Sequence, residues 1–536
     1  MRDIFQITIL EKDVFEVLRL IRVRKNMLAP ISKIPPEILA LIPDFWDTRD
    51  RDQDVIALTH VCRVWREVFV SRSCLWTDFD CLDEEKTQVY FERSKSSPIK
   101  LSLDLSEGIF FCNSFFQIIP YATGRLRSLF VEGPLEDVEI VISHLSHPAP
   151  LLEHLSILPG DVPGYLALTP ALFNGGLSSL RTLRLESVHT ELPWRNMVNL
   201  TSFTLSSTPP GVVSVGQLLD FFENAPYLEE VKLCFAIPTA GAQHGRVVSL
   251  ECLKSMHIED DDPPSVFLDH LLIPVGAKLE IQACLVNSLI GEYLPRSLDN
   301  LKNFSDFTAI ELHPDEYYPG MKFSGPNGQV NMTLGTSRHG SIGLILESLA
   351  ELDTSKTERL EIDGGCLVYR ESLYQTLLPM KDLRTLTLSK CRSPYVLIYA
   401  LRPTMDLSEV MVCPKLEELV LVLDPHETVH HITGITEMAA ARASRGGKLK
   451  TVRIVGGRSA ASLGVSGLGE HVCNVGTRLT VMLFLFYILY NAAYPPSTTL
   501  SHALYFWTLK PLSRNWIEGY LRLLSFRNRV GKGHDN

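Results

Sequence analysis

Residues 180–185 read LRTLRL, and the same spacing returns at 228–233 as LEEVKL and at 383–388 as LRTLTL. The first, fourth and sixth residues are aliphatic, and the residues between them are polar or charged. Because successive side chains of a strand point to opposite faces, the second half of this motif predicts a short strand with one buried face. Further copies begin at residues 126, 152, 200, 253, 416 and 449.

The spacing of these copies indicates how residues 99–456 are organised. Outside the degenerate stretch between 258 and 383, successive copies begin 20–33 residues apart. A helical spacing of apolar residues fills the intervals, as in VGQLLDFFENA at 215–225, which ends before Pro226. A short strand at that period is typical of a leucine-rich-repeat solenoid. We therefore expect an irregular solenoid over 99–456, in which each unit combines a helix and a strand.

The polar positions of the motif predict a binding surface. In such a solenoid the strands line the concave face, and residues that point away from the core meet the partner. Because their charges have both signs, we expect a protein substrate, whose identity the sequence does not give. The predicted substrate-facing residues are Glu153, Arg181, Arg184, Glu229, Lys232, Arg384 and Glu417.

The composition excludes some classes of protein. The chain has 536 residues, 45% hydrophobic and 21% charged, which excludes wholesale disorder. Its net charge of −11 disfavours general nucleic-acid binding, which depends on neutralising phosphates. Its 11 cysteines include no CxxC pair, which argues against a disulfide framework or a zinc ribbon. We expect a cytoplasmic or nuclear protein that binds no nucleic acid.

Two helical segments precede the repeats. Residues 1–30 predict a short amphipathic helix, because apolar residues such as Val14 and Leu18 recur at helical spacing with basic residues between them. Such a helix either packs on the next domain or binds a partner or a membrane surface. Residues 31–80 predict a small all-α module, since Pro35 and Glu37 suit the first turn of a helix.

Three strings inside residues 31–80 resemble a known family module. They are IPPEIL at 34–39, VCRVWR at 61–66 and LW at 75–76. Together they are similar to the F-box, whose pattern is Leu-Pro-x-Glu-hydrophobic-Leu, later Val-Cys-Arg-x-Trp-Arg, and later Leu-Trp. Ile34 stands where the family usually has Leu, Pro36 is an addition, and the charged segment 47–54 enlarges the gap.

An F-box followed by leucine-rich repeats resembles large fungal families of F-box-like proteins. The resemblance implies a non-enzymatic substrate-recognition adaptor of a Skp–cullin–F-box ubiquitin ligase, with the F-box docking a Skp-type adaptor and the repeats binding a protein substrate. By motif position, the adaptor-binding residues would be Ile34, Pro35, Pro36, Leu39, Ile42, Trp65, Leu75 and Trp76. The alternative is a protein-binding leucine-rich-repeat scaffold without a ligase link, in which a residue such as Trp65 serves only the core.

One string in the chain has the spelling of an enzymatic motif. The string HETVH at 426–430 has the HExxH spacing, in which two histidines bind zinc and the glutamate acts as a base. The longer protease pattern needs glycine at position 433, where this chain has Thr433. We therefore expect no catalytic residue, no metal site and no cofactor.

Residues 475–536 differ in composition from the rest of the chain. No Asp, Glu, Lys or Arg occurs from Leu479 to Leu509, and residues 479–494 are almost wholly apolar. As a helix that apolar run would span about 24 Å, less than the roughly 30 Å core of a bilayer. The tail is either a marginal membrane anchor or a segment that does not belong to the fold.

Overall fold

The computed structural model divides into two compact units, residues 1–476 and 477–536, and the fold below is that of the first. The structure describes the chain from residue 2 to residue 478 with internal gaps. The gaps are residues 46–50, 82, 107–112, 161–163, 169–171, 191–196, 210, 239–240, 242–244, 287–289, 314–319, 337–344, 347, 350–351, 364–369, 392–394, 403–410, 424–431, 456–471 and 473.

Short strands recur along the whole described chain. They are β1 (Asp78–Asp80), β2 (Ile99–Asp104), β3 (Leu126–Gly133), β4 (His154–Pro159), β5 (Leu166–Leu168), β6 (Thr182–Glu186), β7 (Val188–Thr190), β8 (Ser202–Ser206), β9 (Glu230–Cys234), β10 (Val248–Ser249), β11 (Ser255–Asp260), β12 (Leu271–Leu272), β13 (Lys278–Val286), β14 (Ala309–His313), β15 (Gly320–Gly325), β16 (Gly328–Thr336), β17 (Arg359–Asp363), β18 (Thr385–Cys391), β19 (Glu418–Leu423), β20 (Thr451–Val455) and β21 (Asn474–Arg478). Seventeen of them belong to one large sheet, and β5–β7 and β10–β12 form two small parallel pairs.

Neighbours in the large sheet mostly follow chain order. From β1 the parallel pairing runs through β2, β3, β4, β6, β8, β9 and β11 to β13. Strand β13 then pairs in parallel with β16, which forms an antiparallel meander with β15 and β14. From β14 the parallel order resumes through β17, β18 and β19 to β20.

Equivalent residues of the motif are register partners in successive strands. Leu155, Leu183, Phe203, Val231, Met256 and Leu279 are register partners along β4, β6, β8, β9, β11 and β13. All six side chains are buried. Burying an aliphatic side chain of this size stabilises the folded state by about 1.5–3 kcal/mol. The row therefore fixes the register, because a one-residue slip would turn its apolar side chains to the opposite face.

Helices and 3-10 turns connect the strands. The helices are α1 (Arg2–Leu28), α2 (Pro36–Leu39), α3 (Arg51–Thr59), α4 (Arg63–Ser71), α5 (Glu84–Ser94), α6 (Asn113–Ala122), α7 (Leu135–Ser143), α8 (Val215–Glu223), α9 (Ser265–Leu268), α10 (Arg370–Leu377), α11 (Tyr395–Leu401) and α12 (Ile432–Ser444). The 3-10 turns are Pro30–Lys33, Ile42–Phe45, Ser73–Trp76, Thr123–Arg125, Leu172–Gly175, Ile290–Glu292 and Leu298–Asn300.

Helix α8 shows why a connection becomes helical. The Ser214 hydroxyl accepts from the Gln217 backbone N–H at 3.2 Å, and the Gln217 side chain accepts from the Ser214 N–H at 2.9 Å. This reciprocal pair satisfies two of the N–H groups that a helix start leaves unpaired. Leu218 and Phe222 are buried on the inner face of the helix. The helix ends at Glu223, shortly before Pro226.

The fold class predicted from the sequence is wrong. The structure is an α/β fold built on one large, mostly parallel sheet, not a small all-α N-terminal module followed by a leucine-rich-repeat solenoid. The N-terminal helices are not a separate body, because β1 pairs with β2 and one continuous core extends from Leu39 to Val472. The β14–β16 meander also interrupts the expected helix–strand alternation. The spacing of the motif predicts where strands form, but it does not predict which strands pair with one another in the sheet.

A buried arginine on α12 binds the segment that connects β18 to β19. Arg442 of α12 is fully buried, and its guanidinium donates to the backbone carbonyls of Val412 at 2.8 Å and Cys413 at 2.7 Å. A third, longer bond of 3.4 Å reaches the carbonyl of Leu401 at the end of α11. Burial lowers the pKa of Arg442 and raises the pKa of the Cys413 thiol to about 12. Arg442 thus ties α12 to α11 and to the turn before β19.

We expect Arg442→Met to lower the free energy of unfolding by about 2–4 kcal/mol, because the buried carbonyls of Val412 and Cys413 would lose their donors. Urea denaturation followed by circular dichroism measures the change. Lys448→Met is the matched control, since Lys448 is exposed in the following segment and should change stability by less than about 0.5 kcal/mol. Equal midpoints for the two variants would contradict this role of Arg442.

Candidate functional site

The first candidate site lies on the short helix α2 and its flanks. Pro35 precedes the helix in an extended conformation, and Pro36 occupies the first turn, where its missing N–H costs no hydrogen bond. Ile38 and Leu41 are 55% and 44% exposed, and Ile31 before the helix is 44% exposed. We call Ile31, Pro35, Ile38 and Leu41 the α2 surface. All four residues are apolar, and the described part of the chain leaves them exposed to solvent.

Residue Leu39 shows how α2 is attached. It is 2% exposed and belongs to the continuous core, whereas Ile38 beside it points outward. Helix α2 packs on α4, where Phe69 is buried. One apolar side chain therefore anchors the helix, and its apolar neighbours remain available for a partner.

The residues predicted to bind a Skp-type adaptor divide by exposure. Pro35 and Pro36 are exposed. Ile34, Ile42 and Trp65 are half-buried and pack against the core. Leu39, Leu75 and Trp76 are buried. The sequence motif therefore marks both the packing residues of the helical segment and part of its surface, and it does not distinguish between them.

Trp76 has a packing role in this structure. Its side chain is fully buried, and its indole N–H donates to the Phe69 carbonyl at 2.9 Å. The Tyr90 ring meets it edge-on with 4.9 Å between ring centroids, and the Arg93 guanidinium lies 4.3 Å from its ring centroid. Desolvation by burial is the main cause that lowers the pKa of Arg93. Trp76 joins the N-terminal helices to α5 and to the sheet.

The second candidate site is the polar face of the large sheet, and the predicted substrate-facing residues fall into two groups there. Arg184 and Lys232 lie within strands at the same register level, with Thr204 between them, and both are exposed. The others lie one residue before a strand, at the N-terminal edge of the sheet. They are Glu153, Arg181, Glu229, Arg384 and Glu417.

Backbone hydrogen bonds join these edge residues into two rows. In the first row the Arg181 N–H donates to the Glu153 carbonyl at 2.8 Å. In the second row the Glu417 N–H donates to the Arg384 carbonyl at 2.9 Å. Strands β11 to β17 lie between the two rows, so the predicted residues do not form a single patch.

Ion pairs cross the strands along this edge. Glu417 pairs with Lys450 at 2.8 Å and lies 3.8 Å from Arg384. The hydrogen bond from Lys450 lowers the pKa of the Glu417 carboxyl. In the first row, Arg127 pairs with Glu153 at 2.9 Å. The edge therefore presents charges of both signs, as the sequence predicts.

Sequence analysis missed a cluster within this face. Cys234 at the end of β9 lies beside His257 and Glu259 of β11, and the three side chains are half-buried. Burial, followed by the charge of Glu259, raises the pKa of the Cys234 thiol. The three residues come from two separate repeats, so no linear metal motif identifies them. Only their positions in the motif could have predicted that they share a face. His257 is the fifth residue of its motif, and Cys234 follows the sixth residue of another.

Some sequence predictions fall outside the described residues. The HETVH string at 426–430 lies in a gap, and the apolar run at 479–494 follows the last described residue. Residues 1–30, predicted to be an amphipathic helix, contain α1, on which Val14, Leu18 and Ile21 are exposed. None of the helices in the described part of the chain has the length and apolar character needed to cross a membrane.

No protein-family model matches the chain, and no curated protein matches it significantly.

We expect Trp76→Ala to destabilise the protein by about 3–5 kcal/mol, because it removes a fully buried ring and leaves a cavity beside Phe69 and Tyr90. Ile38→Ala should change stability by less than about 1 kcal/mol, since the Ile38 side chain is largely in solvent. Thermal melting of both variants beside the wild type measures the difference. A Trp76→Ala variant as stable as Ile38→Ala would show that Trp76 is not a packing residue.

Proposed function

We propose that this chain is a non-enzymatic protein-binding adaptor, in which the α2 surface docks the Skp-type adaptor of a cullin–RING ubiquitin ligase and the polar sheet face binds a protein substrate. The observation that carries the proposal is the division within α2: Leu39 is buried in the chain's own core, whereas Pro35 and Ile38 are exposed. The exposed apolar residues of α2 are therefore available to a partner without any change in the chain's own core.

Docking of the α2 surface has a clear driving force. Fully burying an aliphatic side chain the size of Ile31, Ile38 or Leu41 contributes about 1.5–3 kcal/mol. A short helix that inserts apolar side chains into a groove between partner helices is a recurrent mode of recognition. The exposed Pro35 and Pro36 limit the conformations of the free segment and so reduce the entropy lost on docking.

The polar face supports the second half of the proposal. Its charged residues come from different strands, carry both signs, and are held in fixed positions by a continuous sheet. Complementary charges of this kind confer specificity for another protein, whereas nucleic-acid binding depends on a continuous basic surface. The net charge of −11 favours the same conclusion.

A second candidate function is a protein-binding scaffold without a ligase link. The burial of the predicted adaptor-binding residues favours it, because six of the eight are buried or packed against the chain's own core. They are Ile34, Leu39, Ile42, Trp65, Leu75 and Trp76. In that case only the polar face of the sheet would meet a partner.

Co-purification of the full chain with a Skp-type adaptor tests the proposal. We expect a stable complex with the wild type and at least a 10-fold weaker one with Ile38→Asp/Leu41→Asp, because two charges would enter an apolar contact. Val198→Asp/Val275→Asp is the matched control: both valines are exposed, at 49% and 58%, and lie far along the chain from α2. Leu39 is unsuitable for substitution, since a charge at this buried position would disrupt folding.

The outcomes separate the two functions when circular dichroism shows that all variants are folded. Loss of the complex only in the α2 variant supports the ligase adaptor. Equal binding by all three proteins would mean that the α2 surface is not the contact. A wild type that is folded but does not bind the adaptor would favour the scaffold.

A further inference from the structure

Three side chains that bind metals in other proteins converge on the polar face of the sheet. Cys234 and Glu259 are register partners on the parallel strands β9 and β11. His257 lies two residues before Glu259, so its side chain is on the same face. The Cys234 sulfur, a ring nitrogen of His257 and a carboxylate oxygen of Glu259 all lie within 4.8 Å of one another.

These separations are close to those of a metal site. In tetrahedral zinc coordination, bonds of 2.0–2.3 Å place neighbouring ligand atoms about 3.3–3.6 Å apart. The His257 Nε2 atom is 3.7 Å from the Glu259 carboxylate oxygen. Since no pair is more than 4.8 Å apart, the widest pair would have to close by at most about 1.5 Å to reach that geometry. Side-chain rotation supplies such a movement without any change in the strands.

Glu280 provides an independent feature of a metal site. Its carboxylate oxygen lies 3.6 Å from Nδ1 of His257, the ring nitrogen other than Nε2. Lys278 in turn lies 3.3 Å from the same carboxylate oxygen. A histidine that binds zinc usually donates its other ring N–H to a carboxylate, which fixes the tautomer and the ring orientation. At 3.6 Å the Glu280 carboxylate is slightly beyond hydrogen-bond distance of Nδ1, and a small side-chain rotation would bring it into that bond.

The other neighbours of His257 and Cys234 suit the same arrangement. Lys232 is the register partner of His257 on the adjacent strand β9. The Ser206 side chain hydrogen-bonds to Cys234 from β8. Cys234 and His257 thus each have a polar neighbour on an adjacent strand.

We propose that Cys234, His257 and Glu259 form a zinc site on the polar face of the sheet, with water as the fourth ligand and Glu280 as the residue that positions His257. A thiolate, an imidazole and a carboxylate are the three side-chain ligand types of zinc sites. Calcium and magnesium prefer oxygen ligands alone, so a set that contains sulfur and nitrogen disfavours them. When the ion binds, the Cys234 thiol releases its proton to solvent.

Such a site would cross-link two parallel strands in the middle of the proposed substrate-binding face. It would place a divalent cation among the acidic residues Glu186, Glu259 and Glu280 and so change the charge that a partner meets. The inference stands independently of ligase binding, because none of its residues belongs to α2 or to its neighbours.

Cobalt substitution of the full chain tests the site. After removal of metals with a chelator, Co²⁺ bound to a thiolate gives a sulfur-to-cobalt charge-transfer band in the near ultraviolet. We expect one equivalent of Co²⁺ to produce this band in the wild type and added Zn²⁺ to abolish it. Cys234→Ser and His257→Gln should lack the band. Glu280→Gln should keep it but bind Co²⁺ 10–100-fold more weakly, as outer carboxylates do elsewhere.

Cys252→Ser/His154→Gln is the matched control. It also removes one thiol and one imidazole, but from an exposed cysteine outside the cluster and from a histidine on β4. The band should persist in this control. The HETVH string at 426–430 has no cysteine, so cobalt bound there would give no thiolate band. A band that survives in Cys234→Ser, or a folded wild type that shows none, would overturn the proposal.

Discussion

The row of apolar side chains that stays in register across the parallel strands is the constraint on which the whole structure depends. Leu183, Val231 and Met256 occupy equivalent positions on different strands, and each is completely or almost completely buried. Because side chains alternate along a strand, burying one set places the next set on the opposite face. The core therefore determines both the register of the sheet and the identity of its solvent-facing residues.

Both candidate sites follow from that constraint. On the polar face, residues two apart along a strand and residues paired across strands become neighbours. This is how Cys234, His257 and Glu259 meet although they belong to different repeats. At the N-terminal side, Leu39 and Trp76 extend the same core into the helical segment. The apolar residues of α2 that this core does not use remain in solvent.

Local features of the sequence predicted local features of the fold. Strands begin at or next to the middle of the quoted motifs, as at Thr182 and Glu230, since an alternating pattern is a local property of a few residues. The helix expected at 215–225 was found as α8, Val215–Glu223, because its cap and its apolar spacing lie within its own sequence. The β14–β16 meander was not foreseen, because the motif is degenerate there and hairpin pairing depends on contacts between strands.

By itself, the sequence determined where the strands of the intact motif copies and helix α8 form, and which residues of those strands are apolar, because these properties depend on neighbours along the chain. The tertiary structure alone decided that the N-terminal helices share a core with one large α/β sheet. It also decided that Trp76 packs inside while Ile38 stays outside, and that Glu280 lies beside His257. These are contacts between residues distant in sequence, and no local pattern encodes which strands become neighbours.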